Sequence, residues 1–138
     1  MTTLPAGGSE TILLAEDDDE VRKIMKTILE RFGYTVIDAI DGDDACRKFS
    51  EHRDSVRLLV LDVIMPRRSG RDVYDYAREM NPAIKVLFTS GYTADIVLKK
   101  GVPVDVFPFL PKPASPQDLL KKVRQILDGT ASAGRAPA

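Results

Sequence analysis

Five side chains with charged or hydroxyl groups stand at the ends of four short apolar runs of the sequence. They are Glu16 and Asp17 after residues 11–15, Asp62 after residues 58–61, Ser90 after residues 84–88, and Lys112 after residues 106–110. If these runs are parallel strands, their carboxyl ends lie at one edge of a sheet, and the five groups converge there. Three carboxylates, a hydroxyl and an ammonium suit a carboxylate that accepts a phosphoryl group beside a hard cation.

Asp62 is the residue we expect to accept the phosphoryl group. An isolated Asp at a strand end more often starts a turn or caps the next helix. The acids after the first run and the lysine after the last favour a nucleophilic carboxylate, which would form an aspartyl phosphate. The protein would then mainly position the phosphoryl group and neutralise its charge.

The acids from Glu16 onward have two interpretations. Near a helix N-terminus, acids offset the helix dipole and cap free N–H groups, which is what we expect of Asp18, Asp19 and Glu20. Glu16 and Asp17 come earlier, where carboxylates held together repel one another unless a cation joins them. Mg²⁺ suits such an all-oxygen site, and we expect Asp17 to bind it. For Glu16 ligation and capping stay open, because its longer side chain can also reach the ion through water.

Lys112 stands between two prolines, Pro111 and Pro113. The simplest interpretation is an exposed lysine in a proline-rich turn. An X–Pro bond can be cis at modest cost, however, and a cis bond in a tight turn here would direct the lysine inward. Lys112 would then pair with Asp62 at rest and with a phosphoryl oxygen after transfer. Ser90 alone indicates little, since many loops begin with Ser.

Apolar periodicity predicts five strands that alternate with five helices. The predicted strands are residues 11–16, 34–39, 57–61, 84–88 and 105–110, and the predicted helices are residues 21–32, 43–52, 71–80, 93–100 and 116–127. This alternation is typical of an α/β fold with a doubly wound parallel sheet, most commonly in the order 2-1-3-4-5. Ligands bind such sheets between strands 1 and 3, and Glu16, Asp17 and Asp62 flank that crevice.

Local signals refine the helix ends and the domain limits. Gly33 is predicted to follow the C-terminus of the first helix, and Ser115 and Pro116 to begin the last one. Residues 10–128 are predicted to form one domain. The small and polar residues 1–9 and 129–138 read as a flexible lead-in and a flexible tail.

Composition narrows the class of protein. The 138 residues favour a single domain, and 20 Lys and Arg against 21 Asp and Glu argue against direct nucleic-acid binding. The single cysteine, Cys46, excludes an internal disulfide. No apolar run approaches the roughly 18 residues of a membrane span, and no secretory signal is visible. We therefore expect a soluble, cytoplasmic protein without membrane contact.

Four motifs, in order along the chain, resemble the receiver domain of two-component response regulators. They are Ile12-Leu13-Leu14-Ala15-Glu16-Asp17-Asp18, Leu61-Asp62-Val63-Ile64-Met65-Pro66 with Gly70, Leu87-Phe88-Thr89-Ser90-Gly91-Tyr92, and Phe109-Leu110-Pro111-Lys112-Pro113. The resemblance covers about residues 10–127. It implies a flavodoxin-like (βα)₅ fold and a Mg²⁺-dependent phosphorelay reaction, in which Mn²⁺ can substitute. The donor would be the phosphohistidine of a histidine kinase or histidine phosphotransfer protein.

The resemblance also implies the roles of the site residues. Asp62 is the phosphoacceptor, and Asp17 and Asp62 ligate the metal with the backbone carbonyl of Ile64. Glu16 completes the acidic pair, where Asp is commoner in the family. Lys112 is the lysine that contacts the phosphoryl group.

Switching is implied by two further positions. Ser90 matches the switch Ser/Thr, although its neighbour Thr89 competes for that role. We prefer Ser90 because Gly91 then fills the small-residue position that follows. Phe109 matches the switch aromatic residue. Phosphorylation would draw Ser90 inward, allow Phe109 to rotate, and change the face made by helix 4, strand 5 and helix 5, which a downstream protein reads.

The chain would be no ordinary enzyme, since it would catalyse its own phosphorylation and a slow autodephosphorylation. Bulky Ile64 and Tyr92 are expected to flank the path of the attacking water, and loss of the phosphoryl group within seconds would contradict this hypothesis. Two alternatives are a pseudo-receiver that binds partners without phosphorylation and an aspartyl-phosphate hydrolase. The hydrolase would need an acid where Ile64 stands. We expect a monomer or weak dimer, either a single-domain regulator or the receiver of a hybrid histidine kinase.

Overall fold

The computed structural model describes residues 6–129, which form ten alternating elements. The strands are β1 (Thr11–Ala15), β2 (Thr35–Ala39), β3 (Val56–Asp62), β4 (Lys85–Ser90) and β5 (Phe109–Pro111). The helices are α1 (Asp19–Arg31), α2 (Gly42–His52), α3 (Gly70–Met80), α4 (Ala94–Lys99) and α5 (Pro116–Leu127). Within the described residues, no helix has both the length and the apolar character that a bilayer span requires.

The five strands form one parallel sheet in the order β2-β1-β3-β4-β5, which confirms the predicted fold class and strand order. Side chains alternate between the two faces of the sheet. On one face, Ile12 and Leu14 pack with α1 and α5. On the other face, Leu13 and Ala15 pack with α2, α3 and α4. The central strands are buried on both faces, which explains why they read as continuous apolar runs.

Side-chain caps define the ends of several helices. Ser115 accepts a hydrogen bond from the backbone N–H of Asp118 at 3.0 Å, and Pro116 occupies the first turn of α5. Gly33 follows α1 with a φ of 100°, a conformation that favours glycine. The predicted ends of these two helices are therefore confirmed. At the start of α3, Ser69 and Asp72 cap each other reciprocally.

The predicted strand at residues 105–110 is wrong over most of its length, because β5 contains only Phe109–Pro111. The carbonyl of Pro103 accepts hydrogen bonds from the backbone N–H groups of Val106 and Phe107, at 3.1 and 3.2 Å. This turn takes residues 103–107 out of the sheet. Pro108 has no N–H to donate, but its carbonyl accepts from the N–H of Phe88 at 3.0 Å, so the ladder between β4 and β5 begins at this carbonyl.

Strand β4 is shifted by comparison with its predicted range. It runs to Ser90 instead of ending at residue 88, so Thr89 and Ser90 are sheet residues with opposite orientations. Backbone pairing of Ser90 with Pro111 brings the end of β4 beside the lysine loop.

Most of the predicted lead-in and tail lies outside the described residues. The described part of the lead-in contacts the domain: Gly8 donates its N–H to the carbonyl of Phe32 at 3.1 Å. The carbonyl of Gly7 accepts a hydrogen bond from Arg124 at 3.2 Å. Arg124 also pairs with Glu10 at 2.7 Å, which joins α5 to the segment before β1.

Gly70 permits the closest approach between α3 and the end of β3. Its N–H donates to the carbonyl of Val63 at 2.9 Å. A Cβ at this position would overlap the backbone oxygen of Asp62 and lie 3.1 Å from the Cα of Val63. Glycine is therefore required here by contact with the backbone that carries Asp62.

We expect Gly70→Ala to lower the free energy of unfolding by about 1–3 kcal/mol, because the added methyl group must displace the β3 backbone. The substitution would otherwise favour a helix by roughly 0.5–1 kcal/mol. Urea denaturation measures the difference. Gly91→Ala is the matched control, because a Cβ at Gly91 meets no atom within 4 Å. Equal stability of Gly70→Ala and wild type would contradict this account of the contact.

Candidate functional site

Three carboxylates meet at the carboxyl edge of the sheet. Ala15 of β1 pairs in register with Leu61 of β3, so the residues that follow them, Glu16 and Asp62, are neighbours. Glu16 is 1% exposed and Asp62 6% exposed, whereas Asp17 is open to solvent. One oxygen from each of these three carboxylates lies within 4.8 Å of the others. The structure thus brings together the acids that the sequence singled out.

Lys112 contacts both buried carboxylates. Its ammonium donates to Oε1 of Glu16 at 2.7 Å and to Oδ2 of Asp62 at 3.3 Å. Its backbone N–H donates to the carbonyl of Ser90 at 2.9 Å, which fixes the lysine loop to the end of β4. The Lys112–Pro113 peptide bond is cis. Lys112 therefore lies inside the site, as the second of its two sequence interpretations required.

Glu16 is held through its backbone and its side chain. Its N–H donates to the carbonyl of Ala39 at 3.2 Å, and its second carboxylate oxygen accepts from the N–H of Asp18 at 3.1 Å. Burial alone would raise the pKa of Glu16, but the hydrogen bonds from Lys112 and the Asp18 backbone outweigh it and lower the pKa. Glu16 is therefore the ionised partner of Lys112.

Asp62 has the opposite electrostatic balance. Burial, followed by the negative charge of Glu16, raises the pKa of Asp62 to about 7, although Lys112 opposes the shift. Burial and the hydrogen bond and charge of Glu16 also raise the pKa of Asp17. Burial would lower the pKa of Lys112, but its contacts with Glu16 and Asp62 raise it instead. One ammonium thus leaves the three-carboxylate cluster with excess negative charge.

The donor set fits a hard divalent cation. All three side chains offer oxygen atoms, and the raised pKa values of Asp17 and Asp62 show that further positive charge would be favourable. The cluster opens into a cavity of about 450 Å³, which leaves room for water and a phosphoryl group. Residues that line it are Glu16, Asp17, Asp18, Asp62, Ile64, Met65, Pro66, Tyr92 and Lys112.

Thr89 and Ser90 are both buried but face different parts of the protein. Thr89 lines a second, apolar cavity with residues of α1 and α5. The hydroxyl of Ser90 accepts a hydrogen bond from the N–H of Tyr92 at 3.0 Å. Phe109 is half-buried and packs against the cluster of apolar residues under α3 and α4. Ser90 is the last residue of β4 and Phe109 the first of β5, so the two predicted switch residues lie two steps apart along one ladder.

One buried charge beside the site is not recognisable from the sequence. Arg22 of α1 is 8% exposed, and its Nη1 donates to the backbone carbonyl of Glu16 at 2.8 Å. An arginine among the apolar residues of a helix was the available signal, but it resembles an ordinary surface charge in the sequence. Its burial depends on the carbonyl and carboxylates that the fold places around it.

The family model of the response regulator receiver domain matches residues 12–124 of this chain. The sensor kinase CckA of Brucella abortus is 38% identical over 122 residues, which are 88% of this chain and 13% of that protein. The transcriptional regulatory protein CpxR of Escherichia coli is 36% identical over 117 residues, which are 84% of this chain and 48% of that protein.

Solved structures give the same result. The receiver domain of the hybrid histidine kinase CckA has a TM-score of 0.72 and 34% identity, covering 85% of this chain and 98% of that one. Vibrio cholerae CheY4 has a TM-score of 0.75 and 25% identity, covering 86% of this chain and 99% of that one. This chain spans less than half the length of the CckA and CpxR proteins it matches. The family match extends over nearly all of the described residues and agrees with the fold and with the acidic edge of the sheet. The chain therefore belongs to the response regulator receiver domain family.

Proposed function

We propose that this chain is the phosphoacceptor domain of a two-component phosphorelay and that Asp62 receives the phosphoryl group. Receiver domains interact with histidine kinases or histidine phosphotransfer proteins, and they bind Mg²⁺. The observation that carries the proposal is the contact of Lys112 with both buried acids, Glu16 and Asp62. This contact supports the proposal because it holds a lysine ammonium beside the carboxylate that would act as the nucleophile, at an open cavity.

The reaction is a transfer between two nucleophiles. An oxygen of ionised Asp62 forms a bond to phosphorus while the bond from phosphorus to the donor's histidine nitrogen breaks, and the released imidazole takes up a proton. Lys112 lies where its ammonium can balance charge on a phosphoryl oxygen. Asp17, Asp62, the Ile64 carbonyl and Glu16, directly or through water, would hold Mg²⁺. When bound, this ion supplies positive charge beside the phosphoryl oxygens.

The conformational consequence would begin at Ser90. Its hydroxyl now accepts from the N–H of Tyr92, and a phosphoryl group on Asp62 would offer it a charged acceptor instead. The orientation of Thr89 toward α1 and α5 supports Ser90 as the switch residue. Movement of Ser90 would open space for the half-buried ring of Phe109 and alter the face of α4, β5 and α5. A downstream protein that reads this face would then favour one state.

The neighbouring apolar cavity supports a site for the protein phosphodonor. It has a volume of about 380 Å³ and lies between α1 and α5. Lys112 lines both this cavity and the acidic one, so a protein bound here reaches the mouth above Asp62. Ile24, at the rim on α1, is 59% exposed, so an apolar side chain of this helix is open to a partner. We assign this surface to the histidine kinase or phosphotransfer protein.

A hydrolase is disfavoured by Ile64, which stands where a general acid would be needed. A phosphorylation-independent pseudo-receiver is the remaining alternative, and labelling of Asp62 discriminates it from our proposal. The cytoplasmic location and the monomeric or weakly dimeric state stay predictions.

We expect acetyl phosphate to add one phosphoryl group to the wild-type protein in the presence of Mg²⁺ and none after chelation. Asp62→Asn should abolish the mass increase, and Lys112→Ala should slow it at least about 100-fold because a fixed charge is lost. Intact mass spectrometry measures both. Asp54→Asn, a change at an exposed acid, is the control and should label like wild type. Labelling of folded Asp62→Asn at the wild-type rate would refute Asp62 as the acceptor.

The raised pKa of Asp62 predicts that Asp62→Asn stabilises the metal-free protein at high pH. The folded state keeps the proton up to about pH 7, whereas the unfolded chain loses it near pH 4. The folded state binds more protons in this interval, so its stability falls as the pH rises. Asn removes that loss, and we expect a gain of at least about 1.4 kcal/mol at pH 8, the equivalent of one pKa unit.

Denaturation in EDTA at pH 4 and pH 8 tests this expectation, with the exposed Asp54→Asn as the matched control. The advantage of Asp62→Asn should be small at pH 4, grow up to pH 7, and stay constant above it. An advantage that does not change with pH would show that Asp62 ionises normally.

We expect Ile24→Glu to separate the protein donor from the small one. A charge in the apolar cavity should slow transfer from a phosphorylated histidine phosphotransfer protein at least about tenfold, because an apolar contact is replaced by a desolvated carboxylate. Labelling by acetyl phosphate should stay within about twofold of wild type. Thr27→Glu adds the same charge at an exposed residue outside the cavity. Equal slowing by both variants would place the donor elsewhere.

A further inference from the structure

We propose that Arg22 is a positioning residue for the metal site. It holds the peptide group between Glu16 and Asp17 and thereby fixes where Asp17 presents its carboxylate. The inference rests on the proposed function, because it concerns the affinity of the same acidic site for Mg²⁺. It assigns a role to a residue of α1 that touches neither the cation nor the phosphoryl group.

The main contact of Arg22 is with the backbone of the acidic loop. Nη1 of the guanidinium donates to the carbonyl oxygen of Glu16 at 2.8 Å, in a buried environment. That oxygen belongs to the planar unit that also contains the N–H and Cα of Asp17. The hydrogen bond from Arg22 restrains the orientation of this peptide group, and the peptide group sets the direction in which the chain enters Asp17.

The position of the Asp17 carboxylate depends on the backbone more than the positions of the Glu16 and Asp62 carboxylates do. Glu16 has Lys112 and the Asp18 N–H on its two carboxylate oxygens, and Asp62 has Lys112. Across residues 6–129, no Lys or Arg forms an ion pair with the carboxylate of Asp17. Its neighbours in the cluster are the carboxylates of Glu16 and Asp62, which bring no positive charge to it. The backbone on either side of Asp17 is therefore the main restraint that we assign to its position.

Arg22 is itself fixed by acids on two elements. Nη2 lies 2.5 Å from Oδ1 of Asp19, and Nε lies 3.4 Å from Oδ2 of Asp38, in β2. Lys26 also pairs with Asp38, at 3.0 Å. Nη1 and Nη2 donate hydrogen bonds, whereas Nε has only the ionic contact with Asp38. The guanidinium thus joins the start of α1 to the end of β1 and lies against β2. Lysine would keep the charge but would not reproduce this planar fork.

The alternative is that Arg22 only stabilises the fold. A buried guanidinium and its partners do affect stability. A purely structural role would lower the free energy of unfolding and leave the Mg²⁺ affinity of the folded protein unchanged. The positioning role would weaken Mg²⁺ binding in protein that is still folded. Measuring the two quantities separately discriminates between the roles.

The experiment is an NMR titration of ¹⁵N-labelled protein with MgCl₂, which reports both the fold and the dissociation constant. We expect Arg22→Lys to raise the Kd for Mg²⁺ about tenfold, the low end of what loss of a supporting contact costs a metal site. Arg31→Lys, an exposed arginine on the same helix, is the matched control and should bind like wild type. Labelling by acetyl phosphate should return to within about twofold of wild type when Mg²⁺ saturates the variant.

A second variant covers the case in which Arg22→Lys does not fold. Asp38→Asn removes a partner of the guanidinium at a partly exposed position and should raise the Kd in the same direction, about threefold. A Kd within 1.5-fold of wild type in every folded variant would overturn the inference and leave the proposed function intact. Absence of Mg²⁺ binding by the wild-type protein would overturn both.

Discussion

Two carboxylates lie side by side at the end of a buried sheet, and the ammonium of Lys112 contacts both of them. Burying like charges together is costly unless a cation is shared between them. Lys112 stabilises the negative charge of Glu16, whose pKa is lowered, more than that of Asp62, whose pKa rises to about 7. The resulting excess of negative charge would favour a cation beside Asp62, as the proposed metal site requires.

The fold serves this contact mainly by bringing together strand ends that are distant in sequence. Glu16 and Asp62 are adjacent because β1 and β3 pair in register, and Lys112 reaches them because its N–H is bonded to Ser90 at the end of β4. Gly70 then allows α3 to begin against the backbone of Asp62. Each of these restraints acts on the backbone, so the geometry of the site depends on these few positions more than on surface side chains.

The two faces of the sheet give the site two different surroundings. On the α1 and α5 face, Thr89 and Lys112 border the apolar cavity that we propose for the protein donor. On the α3 and α4 face, Phe88 and Phe107 pack edge to face with ring centroids 5.4 Å apart, close to the half-buried Phe109. Delivery of the phosphoryl group and the response to it would thus be separated by the sheet, with Asp62 at the edge common to both.

Local sequence determined several strands and helix ends and identified most of the candidate site residues. The continuous apolar runs specified β1 and β3, since strands buried on both faces have no polar side, and Ser115, Pro116 and Gly33 specified helix ends through their own backbone chemistry. The acids and the lysine were identifiable because they end those runs. Tertiary structure decided what depends on contacts between distant residues: the turn at Pro103 that shortens β5, the exposure of Ile24, the pKa of Asp62, and the bond from Arg22 to the Glu16 carbonyl. Apolar periodicity shows which residues avoid water, but it does not show which neighbour they meet, and both the pKa of a carboxylate and the partner of a buried arginine are set by that neighbour.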